Sequence, residues 1–379
     1  MLKITFPHLG NFYIPLRSFW TELGFEPIVP PLTSQRTISL GAKVAPEFAC
    51  LPLKINLGNY LEAIQAGAEC VFMVGGAGPC RFGYYGEVQR EILKENGYEA
   101  DFAVFEAPNH APRKLWDTMK RYLPWRSFWK LPKAVRILWA KARALDCFDR
   151  NLNKIRPLET SPGLCNRLQD NFYSRIDQTA SIAGVHSAYR EALRELKEIG
   201  RPAKEEAPKA VLLGEIFMVL EPRVNFQIER VLGSMGIEVE RTIYISDWIR
   251  ENFLGRYLEP DHKRRLRQLA GPYLRNLVGG HGLESVAHLV DAGINRAHGV
   301  IHLAPFTCMP EIVAMQTFGA ITNELGIPVL SLIIDEHSAA AGIETRLEAF
   351  LDLLKFRRRP KPEPGMIAEE PAQELVFIS

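Results

Sequence analysis

The sequence predicts an α/β protein with two doubly wound, mostly parallel-sheet domains that face each other across a cleft, and a helical basic insert between them. Short apolar runs of strand length alternate with segments of helix length, and this alternation starts again after Gly200. Strands separated by such helices favour parallel sheets with right-handed crossovers. A chain of 379 residues with 47% apolar content is longer than one typical domain, which fits two such units.

The N-terminal α/β domain is predicted over residues 1–111. KITF (3–6) predicts a strand, FYIPLRSFWTELG a helix that ends at Gly24, and FEPIVPP a strand limited by its prolines. NYLEAIQAGAE predicts a helix that leads into the strand CVFMV (70–74).

The C-terminal α/β domain is predicted over residues 201–356, after a linker in RPAKEEAPK. Its strands are predicted in AVLLGEI, IEVERT, GVIHLAP and PVLSLII, and its helices in VNFQIERVLGSMG, LESVAHLVDAG, EIVAMQTFGAITNELG and ETRLEAFLDLLKF. Residues 357–379 are rich in Pro and charge and predict a disordered tail.

Residues 112–200 form the predicted insert, and the part from 112 to 156 is rich in Lys and Arg with four interleaved Trp. Such a stripe could contact phosphate and stack on bases of a nucleic acid. The aromatic residues recur at helical spacing, however, which favours a helical insert whose Trp pack on a neighbouring domain while its charges face water.

The N-terminal sequence and the short apolar runs predict a soluble cytoplasmic protein, and we expect neither a nucleic-acid nor a membrane partner. The net charge of +2 indicates nothing about partners, but the start MLKITFPHLG lacks the pattern of a secretory signal, and no apolar run approaches the ~20 residues that span a bilayer. In a reducing compartment, six cysteines are not expected to form structural disulfides. The simplest expectation for each of them is burial as a small apolar side chain.

The segment GGAGPCRFGYYG (75–86) follows a predicted strand and resembles a dinucleotide fingerprint at first sight. Counted from Gly76 and Gly78, however, the third glycine of G-x-G-x-x-G would fall at Arg81, and Pro79 has no N–H for a phosphate. A tight loop that presents the thiol of Cys80 fits these residues better.

Three of the six cysteines are predicted in loops at the carboxyl ends of strands, where parallel α/β proteins bind ligands. These are Cys50, Cys80 and Cys308, each flanked by Pro. Cys70 lies at the other end of its strand, roughly 15 Å from the loop edge at ~3.3 Å per residue. Cys147 and Cys165 lie in or beyond the basic segment, so these three are expected to be bystanders.

The spacing of the three cysteines leaves several kinds of site open. A zinc site needs a fourth protein ligand and often contains a C-x-x-C pair, which this chain lacks. A nucleophilic cysteine needs one thiol and a nearby base. A cubane iron–sulfur cluster can be held by three thiolates, which leaves one iron open to water or substrate.

Several segments resemble the proteins described as acyl-CoA dehydratase activase-related, or CoA-protein activase. These are iron–sulfur relatives of 2-hydroxyacyl-CoA dehydratase and benzoyl-CoA reductase subunits. The resemblance covers about residues 1–355, is weakest over 112–156, and rests on the segments APEFACLPLKINLGNYLEAIQAGAE, VGGAGPCRFGYYGEVQREIL, GEIFMVLEPRVNFQIERVLGSMGIEVER, YISDWI, GGHGLESVAHLV, GVIHLAPFTCMPEIVAMQ and IDEHSAAAGIETRLEAF.

The resemblance implies a [4Fe-4S]-type cluster held by Cys50, Cys80 and Cys308, in the motifs A-C-x-P-x-K, G-P-C-R-F-G-Y-Y and P-F-T-C-M-P-E. It also implies radical dehydration of a 2-hydroxyacyl-CoA, or ATP-driven reduction, with low-potential electrons from a separate ATP-dependent activator. The chain has no G-x-x-x-x-G-K-[ST] loop, so it is expected to accept these electrons. A second cluster subunit or a homodimer is a possible partner, and a non-catalytic electron relay is the alternative function.

Further residues near the three cysteines are candidates to bind the cofactor. Lys54 and Arg81 could offset the negative charge of a cluster or pair with carboxylates, and the amide of Gly78 could approach cluster sulfurs. His281 and Glu284 lie where a loop enters a helix and could meet substrate, or serve as a loop hydrogen bonder and a first-turn acid. Two further predictions are proton transfer or helix entry for Asp335, Glu336 and His337, and a core position for His302.

Overall fold

The computed structural model describes residues 1–76, 80–106, 111–201, 207–251 and 260–356. Gly78, the middle of the predicted linker and the predicted tail therefore lie outside the described residues. The strands are β1 Lys3–Thr5, β2 Glu26–Pro27, β3 Cys70–Val74, β4 Asp101–Phe105, β5 Lys209–Gly214, β6 Glu238–Arg241, β7 Gly299–Pro305 and β8 Val329–Ile334.

The strands form two four-stranded sheets that share one topology. The first sheet has the order β2-β1-β3-β4 and the second the order β6-β5-β7-β8, and every pair of neighbouring strands is parallel. The prediction of two α/β units with parallel sheets is therefore confirmed. In each sheet the winding changes direction beside the first strand, between β1 and β3 and between β5 and β7, where ligands bind in folds of this kind.

Helices connect the strands and fill the insert. They are α1 Tyr13–Glu22, α2 Gln35–Val44, α3 Leu51–Gln65, α4 Tyr85–Glu95, α5 Pro112–Tyr122, α6 Trp125–Phe128, α7 Leu131–Ile155, α8 Leu164–Gln178, α9 Ile182–Ile199, α10 Ile216–Leu220, α11 Ile228–Ser234, α12 Ile245–Ile249, α13 Pro260–Ala270, α14 Gly282–Ile294, α15 Met309–Leu325 and α16 Ala340–Phe356.

The insert forms a helical unit with its own apolar core. Helices α7, α8 and α9 pack around Phe148, Phe172 and Leu196, and Ile14 of α1 joins this core. The expectation that the insert's Trp pack on a neighbouring domain is wrong for three of the four, because Trp116, Trp125 and Trp129 are exposed. Only Trp139 is partly covered.

The carboxyl ends of the two sheets lie against each other. Leu51 and Ile55 of α3 belong to the same apolar core as Leu212 and Leu303 of the second sheet. Gly10, in the loop after β1, has a φ of 56°, and a Cβ there would lie 2.2 Å from the carbonyl oxygen of Leu220. The loop can approach the second sheet this closely only because it has no side chain there. We call the loops and helix starts at these two sheet ends the facing edges.

Candidate functional site

Each of the three candidate cysteines directly precedes a helical segment at the facing edges. Cys50 precedes α3, Cys308 precedes α15, and Cys80 precedes a 3₁₀ turn over Arg81–Tyr84. Cys50 does not follow a strand, which corrects the predicted placement: it lies between α2 and α3. It still reaches the carboxyl edge, because α3 leads back into β3 and so begins where the strands end.

One carboxylate, that of Glu215, interacts with all three thiols. Burial raises the pKa of Cys50, Cys80 and Cys308, and the negative charge of Glu215 raises each of them further. The charge of Cys50 also acts on Cys308. Because charge interactions weaken with distance, Glu215 lies within electrostatic range of each of the three sulfur atoms. First-turn backbone amides oppose part of the rise, and they come from Leu53, Phe82 and Glu311.

The guanidinium of Arg81 connects the loops of the three cysteines. It donates to the carbonyl oxygen of Phe48 over 3.2 Å and to the carbonyl oxygen of Thr307 over 2.6 Å. The hydroxyl of Thr307 in turn donates to the carbonyl of Phe48 over 3.3 Å. Arg81 follows Cys80, Phe48 lies two residues before Cys50, and Thr307 lies directly before Cys308. One side chain therefore ties together the backbone next to all three cysteines.

Thr307 adopts a left-handed backbone with a φ of 67°. This conformation is an outlier for a β-branched residue and costs of order 1–3 kcal/mol. The hydrogen bonds to Arg81 and Phe48 hold it in place. The strain sets the direction in which the chain enters α15 and so the position of Cys308.

Tyr85 was not among the residues singled out from the sequence, although it stands in the GYYG segment. Its hydroxyl is in a short hydrogen bond with the thiol of Cys50, and only 5% of the residue is exposed. Burial and the nearby Cys50 raise the pKa of Tyr85. The phenol therefore stays protonated at neutral pH and can donate to a sulfur atom.

Glu215 was also missed, although the rule used for the cysteines would have found it. It directly follows β5, next to the point where the winding of the second sheet reverses, and its carboxylate accepts from the backbone amide of Met218 over 3.0 Å. Burial raises its pKa, while backbone amides and His281 oppose this rise. A search restricted to cysteines, however, passes over a carboxylate at a strand end.

The 279–285 loop reaches the site through its glycines. A Cβ on Gly280 would lie 3.9 Å from the sulfur of Cys80 and 3.1 Å from Pro310, and φ at Gly280 is 50°. His281 follows and interacts with Glu215. Glu284 lies in the first turn of α14, and its buried Oε2 has no hydrogen-bond partner within the described ranges.

Lys54 forms an ion pair with Glu336 across the facing edges. Its Nζ lies 2.5 Å from Oε1 of Glu336, and the two side chains are 5% and 22% exposed. Burial alone would raise the pKa of Glu336, but the contact with Lys54 outweighs it and the pKa is lowered. Asp335 accepts from the amide of His337 and the hydroxyl of Ser338, so it caps the turn after β8.

A second buried pair lies behind Cys308. Nε2 of His302 is 2.9 Å from Oε2 of Glu311, both side chains are fully buried, and Nδ1 of His302 lies 3.3 Å from the hydroxyl of Ser331. His302 is thus a core histidine, as predicted. The other carboxylate oxygen of Glu311 is buried without a hydrogen-bond partner in the part of the chain that the structure describes.

The other three cysteines lie apart from this site. Cys70 is the first residue of β3 and is 1% exposed, at the opposite end of the strand from the facing edges. Cys165 is fully buried in α8, and Cys147 is half-buried in α7. Burial raises the pKa of both Cys70 and Cys165 to about 12.

The donor set at the facing edges suits a thiophilic metal or an iron–sulfur cluster, because three thiols meet backbone amides at helix starts. The described side chains are not already arranged as ligands, however. Within residues 1–76, 80–106, 111–201, 207–251 and 260–356, no group of three His, Cys, Asp or Glu stands where it could hold a metal ion. Binding would therefore require the thiols to lose their protons and move together.

A comparison with protein families gives a match to part of the chain. Residues 172–354 match the model described as 2-hydroxyglutaryl-CoA dehydratase, D-component. Over this range, just under half of the chain, the sequence is similar to a 2-hydroxyacyl-CoA dehydratase-related family. The matched part contains Glu215, the 279–285 loop and Cys308, but not Cys50 or Cys80. The assignment of those two cysteines therefore depends on the geometry of the facing edges.

A search of curated proteins gives no match to the chain. Among the described helices, none is both long enough and apolar enough to cross a membrane.

Proposed function

We propose that this chain is the electron-accepting iron–sulfur component of a 2-hydroxyacyl-CoA dehydratase-type system. Cys50, Cys80 and Cys308 would hold a [4Fe-4S]-type cluster. The observation that carries the proposal is the single guanidinium of Arg81, which connects the backbone beside all three cysteines. The family of residues 172–354 supports the same chemistry.

A bound cluster would supply an open iron for a substrate oxygen and a place for one low-potential electron. The chain's own residues would prepare the site for it. Amides at the starts of α3, α15 and the 3₁₀ turn stabilise negative charge on the three sulfurs. The protonated phenol of Tyr85, which is hydrogen-bonded to Cys50, would donate to its thiolate, and such second-shell hydrogen bonds tune a cluster's potential.

Charge near the site is balanced by pairing. Lys54 is paired with Glu336, so its contribution to a negatively charged cofactor would be shared with that carboxylate. The guanidinium of Arg81, beside Cys80, donates hydrogen bonds to neutral carbonyl and hydroxyl oxygens, which do not offset its positive charge. His281 and Glu284, on the loop that contacts Cys80, would line the side from which a substrate enters.

The electron source would be a separate ATP-dependent activator protein, with a second cluster subunit or a second copy of this chain as further partners. The chain contains no G-x-x-x-x-G-K-[ST] loop of its own. We assign residues 1–111 and 201–356 to two α/β domains, 112–200 to the insert and connection, and 357–379 to the tail.

Anaerobic purification and reconstitution test this function. Brown protein with iron, acid-labile sulfide and a reduced-cluster spectrum after Ti(III) citrate is expected. Colourless, iron-free protein would overturn the proposal. A change of that spectrum on addition of a 2-hydroxyacyl-CoA would assign an enzyme, either a lyase or a reductase component. An unchanged spectrum would favour the alternative, a cluster protein that only relays electrons or assists an activase.

A further inference from the structure

A patch of exposed tryptophans and cations covers the beginning of the insert. Trp116, Trp125 and Trp129 are 49%, 75% and 80% exposed. We call these three side chains, together with the Lys and Arg of residues 111–136, the aromatic-basic patch. A group of large apolar rings that are this exposed often marks a surface that binds a partner.

The charge of the patch is strongly one-sided. Residues 111–136 contain eight Lys and Arg and one Asp, a net charge of +7 in a chain whose total is +2. All eight cations are exposed. Two have a carboxylate nearby, Arg121 with Asp101 at 3.6 Å and Lys133 with Glu22 at 3.0 Å, and in both pairs the cation itself is well exposed. The complementary partner is therefore anionic.

Trp116 and Trp125 both pack against Phe128 and do not form a row of separate rings. The ring of Phe128 lies 5.8 Å from that of Trp116 and 5.9 Å from that of Trp125, between centroids. The ammonium of Lys120 lies over the ring of Trp116 at 5.1 Å. Stacking of nucleic-acid bases needs free ring faces, so this arrangement suits a base less well than a lipid headgroup region.

The patch lies away from the cysteines. The hydroxyl of Ser127 donates to the carbonyl of Leu23, which follows α1 and precedes β2, so the residues around Trp125 lie at the amino edge of the first sheet. Thr118 of α5 donates to the carbonyl of Val104, and Tyr122, further along α5, donates to the carbonyl of Phe102. Helix α5 therefore runs antiparallel to β4 and ends toward the amino edge of the sheet. An electron donor bound at the patch would therefore face the amino edge of this sheet, whereas the cysteines lie at the carboxyl edge.

We propose that the aromatic-basic patch attaches the protein peripherally to an anionic lipid bilayer. Trp is favoured in the interfacial region of a bilayer, and Lys and Arg gain from the negative potential of anionic headgroups. The facing edges with the cysteines would then remain accessible from water. This inference is independent of the proposed function, and it departs from the expectation that the chain has no membrane partner.

Vesicle co-sedimentation of the full chain tests this attachment. Vesicles of phosphatidylcholine with phosphatidylserine are compared with phosphatidylcholine alone, at low and high salt. We expect binding only to the anionic vesicles, weakened by salt, with a blue shift of tryptophan emission. Replacing both Lys130 and Arg126 with Gln should weaken binding roughly 25-fold. Each cation contributes ~1 kcal/mol to binding an anionic surface, and about 1.4 kcal/mol corresponds to a tenfold change in affinity.

Control variants test whether binding depends on the aromatic-basic patch itself or on any exposed charge or apolar side chain. Trp125→Ala with Trp129→Ala should remove the blue shift and most of the binding, while Leu353→Ala, also exposed, should not. Lys263→Gln with Arg264→Gln removes the same charge from α13 and should leave binding unchanged. Absence of binding to anionic vesicles, equal binding to both vesicle types, or full competition by a single-stranded oligonucleotide would each overturn the assignment.

Discussion

The six cysteines of this chain fall into two groups with the same side chain and different surroundings. Cys50, Cys80 and Cys308 lie at the facing edges, each before a helical segment and near the charge of Glu215. Cys70 and Cys165 are buried among apolar side chains inside the first sheet and the helical insert. Position in the fold, not residue type, separates the groups.

The facing edges differ from the interior in a second way, because charged groups cross between the two halves there. Arg81 reaches Thr307, Lys54 reaches Glu336, and Glu221 accepts from the amide of Gly10 over 2.9 Å. Lys54 and Glu221 are buried there, whereas Arg81 is exposed. Buried charges are expensive unless paired, so two of them at one contact suggest a functional demand there. Four changes test that difference, and they follow from the largest expected effect to the smallest.

The first change replaces the cysteines one at a time with alanine. Cys50→Ala, Cys80→Ala and Cys308→Ala are each expected to lose the reconstituted iron, because each removes one thiolate of the proposed set. Cys70→Ala, Cys147→Ala and Cys165→Ala should keep it and lose only about 1 kcal/mol of stability. Iron and sulfide per folded chain are the measurement. Full iron retention in any variant of the first group would remove that cysteine from the ligand set.

The second change breaks the ion pair between Lys54 and Glu336. Glu336→Gln leaves the ammonium of the more buried partner uncompensated and should lower the free energy of unfolding by about 3 kcal/mol. Lys54→Met should cost less, since the carboxylate is 22% exposed and can regain water. Denaturant unfolding measures both. The control is Glu22→Gln, whose partner Lys133 is 65% exposed, with an expected cost below about 1 kcal/mol.

The third change concerns pH and Glu221. Burial raises the pKa of this carboxyl to about 7, although the amide of Gly10 opposes the rise. Between pH 4.5 and about 7 the folded state therefore keeps a proton that the unfolded state has released. The stabilisation that this group contributes is complete below pH 4.5 and is lost as the pH rises through about 7.

Between pH 5 and pH 8 the free energy of unfolding should consequently fall by about 2 kcal/mol through this group. Glu221→Gln should flatten that part of the profile. Denaturant titrations at several pH values give the two slopes. If the wild type and Glu221→Gln have parallel profiles, the carboxyl is already ionised in the folded state at pH 5.

The fourth change weakens the connection made by Arg81. Arg81→Lys keeps the charge but replaces the two separate guanidinium nitrogens that reach Phe48 and Thr307 with a single nitrogen, so about 1–2 kcal/mol should be lost from the arrangement of the cysteine loops. Iron uptake should become slower or weaker by roughly tenfold, since second-shell changes commonly cost 10–100-fold. Arg90→Lys, on the surface of α4, serves as control. Equal iron uptake in both variants would assign Arg81 to surface contacts alone.

Much of the fold could be predicted from periodicity, because strands and helices of normal length differ in the spacing of their apolar residues. CVFMV and GVIHLAP are β3 and β7, and the helices after them lie where expected. α2 and β4 were not predicted: QRTISLGAKV is only partly apolar, and DFAVF is short and begins with a charged residue. The exposed Trp of the insert have helical spacing without a covering partner, which periodicity alone does not reveal.

The site was predictable where it depended on topology and not where it depended on side-chain partners. The carboxyl-edge rule brought Cys80 and Cys308 to one region, and it reached Cys50 although that residue follows a helix. The ion pair between Lys54 and Glu336 joins residues 282 positions apart, and no local sequence pattern predicts it. The positive φ of Thr307 could not be predicted either, because nothing in the sequence distinguishes this threonine from one in a strand.

An iron-specific anomalous diffraction map of anaerobically reconstituted crystals tests the central claim most directly. The account predicts one iron–sulfur cluster bonded to the sulfur atoms of Cys50, Cys80 and Cys308, with Arg81 still joining Phe48 and Thr307. Iron bound by cysteines of one half alone, or bound at Cys70, Cys147 or Cys165, would contradict it.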